Sequence, residues 1–219
     1  MKNQESKPFG NMKTAKVLVI GHDPRLQISD TIAQYCFFAD YFFRPIPKAP
    51  AELSKYKLAE SLFSYMGWLT SYKFTAAEYF ITNLCNQSLD HSPAKKTVLI
   101  PETIAKEGIA RIKSNIEEAD FKLILPMSQQ VNFWMQYFNF YTSSEEYLKS
   151  SKPKQKGLYN NYYEPEGKSP FLMICGEKYF YKDIPIVPIL HVKQYPLKGR
   201  IKDNYLPLLN KGREFILGI

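Results

Sequence analysis

The sequence has few of the residues that indicate an extracellular, metal-binding or membrane-spanning protein. Its 219 residues include three cysteines, an odd number without C-x-x-C spacing, which argues against a disulfide framework, a zinc site or an iron–sulfur cluster. The polar first residues lack the apolar stretch of a signal peptide, and no apolar run is long enough to cross a bilayer. We therefore expect a cytoplasmic protein, monomeric by default, that needs no membrane, metal or cofactor.

Acidic residues are also scarce relative to basic ones. Lysine and arginine number 29 against 21 aspartates and glutamates, which gives a formal net charge of +8. A basic surface attracts polyanions such as nucleic acid, acidic membranes or phosphorylated ligands. Aromatic residues, by contrast, are abundant at 15%, and they serve either to fill a core or to stack on bases.

The length suits one domain with its own hydrophobic core. Residues 1–15 are polar, which predicts a flexible N-terminal arm before a single domain over residues 16–219. Residues 142–170 are polar, basic and rich in tyrosine. We interpret them as a surface insertion, because strand patterns resume afterwards.

Short β-branched runs alternate with helical patterns along the domain. Strands are predicted over residues 16–21, 79–82, 121–125 and 186–190, and residues 171–175 and 179–181 are predicted to form a hairpin around Gly176. Helices are predicted over residues 30–43, 51–72, 101–118, 128–141 and 203–217. This alternation predicts an α/β fold, with three α/β/α layers and a central, largely parallel sheet of about four strands.

Polar residues follow three of the predicted strands directly. They are His22-Asp23, Asn83 and His191, and ligands of such sheets bind beyond the C-terminal ends of the strands. At the first strand end we expect Gly21 to permit an unusual backbone angle. Structural roles remain open as alternatives: a turn cap for Asp23, a capping residue for Asn83 and a strand-end histidine for His191.

Four segments, in order, resemble the uracil-DNA glycosylase superfamily. GHDP resembles its glycine-x-Asp-Pro motif after the first strand, and FITNLCN resembles its strand that ends in Thr-Asn or Leu-Asn. The stretch from PETIAKEGIARIK to LILPMSQQ resembles the helix and strand that follow. PILHVKQYPLKGR resembles the final strand, whose histidine begins a loop that wedges into DNA.

The resemblance implies roles for the three strand-end positions. Asp23 matches the acid that positions water and offsets positive charge on the sugar. Asn83 matches the amide that reads the edge of uracil, and His191 matches the residue that stabilises the departing uracil anion.

The resemblance also implies contacts to the base and to DNA. Backbone amides near His22 would hold the base, and either Phe37 or Phe38 would stack on it. Leu197 resembles the wedge that fills the hole left by a flipped nucleotide. Basic residues flank this wedge and can meet phosphates: Lys193, Lys198, Arg200 and Lys202.

The sequence departs from the family pattern at two positions, so the base it acts on need not be uracil. Arg25 stands where the best-known branch has a tyrosine, and His22 replaces that branch's glutamine. We therefore expect a DNA-repair-type glycosylase for uracil or another modified base. Two alternatives are a nucleic-acid-binding module without catalysis and an enzyme that processes free nucleosides.

Overall fold

The computed structural model describes residues 5–22, 34–87, 99–142, 144–151 and 169–219. Within these residues the chain forms an α/β fold around one mixed, mostly parallel sheet. Its strands are β1 (Val17–Gly21), β2 (Tyr79–Asn83), β3 (Leu123–Pro126), β4 (Tyr179–Tyr181) and β5 (Ile184–Ile186). Its α-helices are α1 (Pro50–Leu69), α2 (Glu102–Glu117), α3 (Gln129–Tyr137), α4 (Glu145–Ser151) and α5 (Gly199–Leu217).

The sheet has the strand order β2-β1-β3-β5-β4. β1 runs parallel to β2 and β3, β5 runs parallel to β3, and β4 pairs antiparallel with β5 at one edge. Gly21 stands opposite Asn83, and beyond the strands Met127 still pairs with Ile189. The C-terminal ends of the parallel strands therefore lie side by side. We call this side of the sheet the strand-end edge, and it is where α/β proteins bind their ligands.

Alternate residues of β1 enter two different cores because strand side chains alternate between faces. Val17 and Val19 pack into a core shared with α1 and α5. Leu18 and Ile20 pack into a second core shared with α2 and α3. All four side chains are fully buried, and the burial of each stabilises the folded protein by about 1.5–3 kcal/mol. This packing fixes β1 between its neighbouring strands.

Most predicted elements appear within a few residues of their expected bounds. The helix predicted over residues 101–118 is confirmed as α2, and its residues Ile109, Ile112 and Ile116 are buried in one core. The helix predicted over residues 30–43 differs, because its described part is a 3₁₀ segment, Cys36–Phe43. The sheet has five strands in the described residues, rather than about four.

Residues 5–15 do not behave as the flexible arm that their polarity predicted. Phe9 and Ile81 exchange both backbone hydrogen bonds at 2.8 Å, so this segment adds to the free edge of β2. Ser6 and Ala15 are buried. The reason is non-local: the partner of this segment is a strand more than sixty residues away, which composition does not reveal.

The hairpin predicted around Gly176 is also wrong. Residues Pro170–Met173 form a 3₁₀ segment in which the Ser169 hydroxyl accepts a hydrogen bond from the Phe171 N–H. The capping hydrogen bond favours a helical turn over the strand that the apolar run predicted. The hairpin instead joins β4 to β5. Of the proposed 142–170 insertion, residue 143 and residues 152–168 lie outside the described part of the chain.

Candidate functional site

Gly21 ends β1 at the centre of the strand-end edge. A Cβ added there would lie 2.4 Å from Asn83 Oδ1 and 2.4 Å from two ring carbons of Phe37. Its φ is not in the left-handed region, so the expected unusual backbone angle is absent. Glycine is needed here for close approach: the Asn83 amide and the Phe37 ring lie against the same face of one backbone atom.

Asn83 is the last residue of β2 and only 1% exposed. Its Oδ1 has no hydrogen-bond partner among the described residues. An unsatisfied buried acceptor costs about 1–3 kcal/mol, so such a group usually has a structural or functional reason. A ligand donor at this position would satisfy it.

The main chain of Asn83 lies between groups on the two faces of the sheet. The Cys36 thiol lies near its N–H, and burial raises the pKa of that thiol to about 11. Its carbonyl accepts from the Arg111 guanidinium of α2 at 2.7 Å. The carboxamide therefore projects from a fixed backbone, as a group that reads a ligand edge must.

Phe37 and Phe38 occupy different environments, although both were candidates for stacking. Both have left-handed backbones, with φ of 56° and 53°, which turn the two rings apart. Phe37 packs on Gly21 and lies 5.6 Å from the His191 ring centroid, at an angle of 46°. Phe38 lies instead beside Tyr41 and under the Lys55 ammonium. Of the two candidate rings, Phe37 is therefore the one that contacts both Gly21 and His191.

His191 follows the buried chain that leaves β5. The Lys193 N–H donates to its Nδ1 at 3.2 Å. A neutral imidazole whose Nδ1 accepts a hydrogen bond carries its proton on Nε2. The ring is half-buried beside Phe37, so its Nε2–H is a candidate donor at the same edge.

The structure thus brings together three of the predicted residues, Asn83, Phe37 and His191. His22 is buried directly after Gly21, and its carbonyl accepts from the Cys85 N–H at 3.0 Å. Asp23 lies outside the described residues.

The loop after His191 is anchored by aromatic stacking. The Tyr195 ring stacks on Tyr65 of α1, with centroids 4.9 Å apart, and lies 6.2 Å from Trp68. Leu197, the predicted wedge, is half-buried and packs against the core of α1 and α5. The flanking basic residues are exposed: Lys193, Lys198, Arg200 and Lys202.

Arg111, Cys36 and Tyr65 were not predicted as site residues. Arg111 does carry one signal, since it lies seven residues after Ile104 and three after Gly108, at the margin of the apolar stripe of α2. Nothing local marks Cys36 or Tyr65, because their partners come from distant elements.

The described residues contain no cluster of three or more histidine, cysteine, aspartate or glutamate side chains arranged to hold a metal. Nor does any helix in the described ranges combine the length and apolar character needed to cross a membrane. No model of a known protein family matches the chain, and no curated protein matches it. Its function must therefore be inferred from the site itself.

Proposed function

We propose that this protein is a DNA glycosylase that hydrolyses the N-glycosidic bond of uracil or another modified base. The proposal includes the three-layer α/β/α arrangement of the uracil-DNA glycosylase type. One observation carries it: the side chains of Asn83 and Phe37 pack against the same side of Gly21, and Phe37 lies beside His191. These residues come from three distant segments and supply an amide, an aromatic face and an imidazole at one edge.

The amide and the ring suit recognition of a pyrimidine. The Oδ1 of Asn83 accepts a hydrogen bond from the N3–H of uracil, and its Nδ2 donates to O4. Cytosine presents an acceptor at N3 and a donor at C4, so the same amide orientation rejects it. The Phe37 ring offers a stacking surface, and base–aromatic stacking contributes about 1–3 kcal/mol per base.

The imidazole and the carboxylate suit cleavage of the bond. When the C1′–N1 bond breaks, its electron pair goes to the base and positive charge develops on the sugar. The neutral His191 ring donates from Nε2 to the base oxygen that gains negative charge. Asp23, next in sequence to His22, positions water for attack on C1′ and stabilises the cationic sugar. Water supplies the new hydroxyl at C1′, and its second proton leaves with the free base.

Binding to DNA requires that the base first leave the stack. Leu197 fills the space that the base vacates, and the exposed Lys193, Lys198 and Arg200 contact the phosphates. The stacked Tyr195 fixes this loop before DNA binds, which reduces the entropy lost on binding.

The test is a single-turnover assay of base release from oligonucleotides that carry uracil, hypoxanthine or oxidised bases, single- and double-stranded. We expect wild-type protein to release at least one of these bases, and Asp23→Asn and Asn83→Ala to abolish release. Asp120→Asn is the matched control, because Asp120 is an exposed carboxylate in surface ion pairs with Lys16 and Lys122.

Two outcomes contradict the proposal. Salt-sensitive DNA binding without release of any base would indicate a non-catalytic binding module. Turnover of free uridine or inosine without affinity for DNA would indicate a nucleoside-processing enzyme.

A further inference from the structure

Arg111 makes close contact with the strand end that carries Asn83. Its Nη2 donates to the carbonyl of Asn83 at 2.7 Å and to that of Leu84 at 3.2 Å. The helix can come this close because Gly108 has no Cβ: one added there would lie 2.0 Å from the Leu84 oxygen. Arg111 and Gly108 therefore hold the β2 end from the α2 face.

Among the described residues, the Arg111 guanidinium donates to carbonyl oxygens and forms no ion pair with a carboxylate. Burial lowers the pKa of its guanidinium, but arginine remains cationic in proteins. A cation thus lies directly behind the proposed base-reading amide.

Two hydrogen-bond relays extend from this cation to the end of β1. The peptide group whose carbonyl belongs to Asn83 donates, through the Leu84 N–H, to the Gly21 carbonyl at 2.8 Å. The next peptide group donates, through the Cys85 N–H, to the His22 carbonyl at 3.0 Å. Peptide groups are planar with opposed C=O and N–H dipoles, and hydrogen bonds in series polarise one another. The charge of Arg111 therefore raises the positive potential at the end of β1.

We propose that Arg111 is a positioning residue of this site, which holds the Asn83 amide in place and electrostatically favours departure of an anionic base. The inference rests on the proposed glycosylase function. During cleavage the electron pair of the C1′–N1 bond passes to N1, so negative charge develops between Asn83 and the end of β1. A nearby cation lowers the energy of that charge only as it forms, which raises kcat more than it lowers KM.

The experiment compares single-turnover release of uracil and of 5-fluorouracil from otherwise identical oligonucleotides. Arg111→Gln removes the charge, Arg111→Lys keeps it, and Lys106→Gln removes an exposed cation from the same helix as a control. We expect Arg111→Gln to lower the rate on uracil by about tenfold with little change in KM, and Arg111→Lys to restore most of it. Lys106→Gln should match wild type.

Comparing two leaving groups distinguishes an electrostatic effect of Arg111 from a loss of folded protein. The 5-fluorouracil anion is intrinsically more stable, so it needs less help, and the defect of Arg111→Gln should be smaller on it than on uracil. Equal losses on the two substrates would overturn the electrostatic role. If Arg111→Gln does not fold, Arg111→Met, which also removes the charge, is compared with wild type by the same criterion.

A measurement without substrate tests the anchoring role separately. In NMR spectra, Arg111→Gln should shift the Asn83 carboxamide and Leu84 backbone signals, and Lys106→Gln should leave them in place. Unchanged signals would overturn the anchoring. If wild-type protein releases no base, the proposed function and the electrostatic role both fail, and these signals still decide whether Arg111 positions Asn83.

Discussion

Replacing Gly21 with alanine perturbs the site by a single methyl group. The new Cβ would lie 2.4 Å from both the Asn83 amide oxygen and the Phe37 ring, far inside van der Waals contact. Asn83 is fixed by hydrogen bonds to its main chain, so the ring, the amide or the end of β1 must move. Phe37 and Asn83 can then no longer hold their places against the same backbone atom.

The expected cost follows from the packing. Overpacking a well-packed region costs about 1–3 kcal/mol. For a protein of this size, each kcal/mol lowers Tm by about 2–4 °C, so we expect Gly21→Ala to melt about 2–12 °C below wild type. Because a displacement of about 1 Å at a reacting centre can reduce the rate by about 100-fold, base release should fall by a comparable factor.

Gly67→Ala is the matched control. A Cβ at Gly67 would lie 2.5 Å from the ring of Tyr72, the same kind of clash with an aromatic side chain. Tyr72, however, is 76% exposed and can move into solvent, and alanine favours the α1 helix by about 1 kcal/mol over glycine. Gly67→Ala should therefore keep wild-type stability and activity. If Gly21→Ala also melts and releases base as wild type does, the close approach at Gly21 does not define the site.

Three other properties can be measured. Burial raises the pKa of Cys36 to about 11 and also raises that of Cys175, so the folded protein retains thiol protons that the unfolded chain loses. Stability should therefore fall as pH rises above 9, by about 1.4 kcal/mol per thiol at pH 10, and a flat profile in urea unfolding between pH 8 and pH 10 would contradict this. Replacing both Lys198 and Arg200 with glutamine should flatten the plot of log DNA affinity against log salt by up to about 0.9 per lost phosphate contact; an unchanged slope would remove them from the interface. The Asn132 amide is fully buried and donates to one carbonyl at the end of β3 and to one just before α3, so Asn132→Ala should lower the free energy of unfolding by about 2–3 kcal/mol in urea titration, and a loss below 0.5 kcal/mol would refute its role.

The strand-end residues were predictable because local patterns mark them. A buried β-branched run that ends at Gly21, and another that ends at Asn83, place their next polar groups at the edge where parallel strands terminate. His191 was predicted at this edge in the same way, from the apolar run before it. β5 itself ends at Ile186, and the chain reaches His191 through residues that still donate backbone hydrogen bonds to β3. Such predictions need only the apolar pattern of each strand and the expectation that neighbouring strands run parallel.

The parts of the site that depend on backbone conformation were not predictable. Composition cannot distinguish Phe37 from Phe38, because left-handed backbone angles decide which ring meets His191. Gly21 was expected to serve an unusual φ, whereas its actual role is to admit two distant side chains. A glycine in sequence does not show which of these properties is used.

Contacts between residues far apart in sequence could not be predicted either. Arg111 contacts the carbonyl of a residue 28 positions earlier in the chain, and Ser6 lies 3.7 Å from the Cys36 sulfur across 30 residues. These pairs exist only because strands and helices far apart in sequence pack together. The pattern of α2 places Arg111 at the margin of a buried face, but it does not identify the strand that this face covers.

If the protein acts as we propose, Asn83, Phe37 and His191 surround a base that has left the DNA stack. A crystal structure of Asp23→Asn bound to an oligonucleotide with a 2′-fluoro-2′-deoxyuridine would show where that base binds. We predict a flipped uracil stacked on Phe37, with N3 and O4 about 3 Å from the Asn83 carboxamide and a base oxygen at the same distance from His191 Nε2. A uracil that stays in the helix, or that binds away from Asn83, would contradict the account.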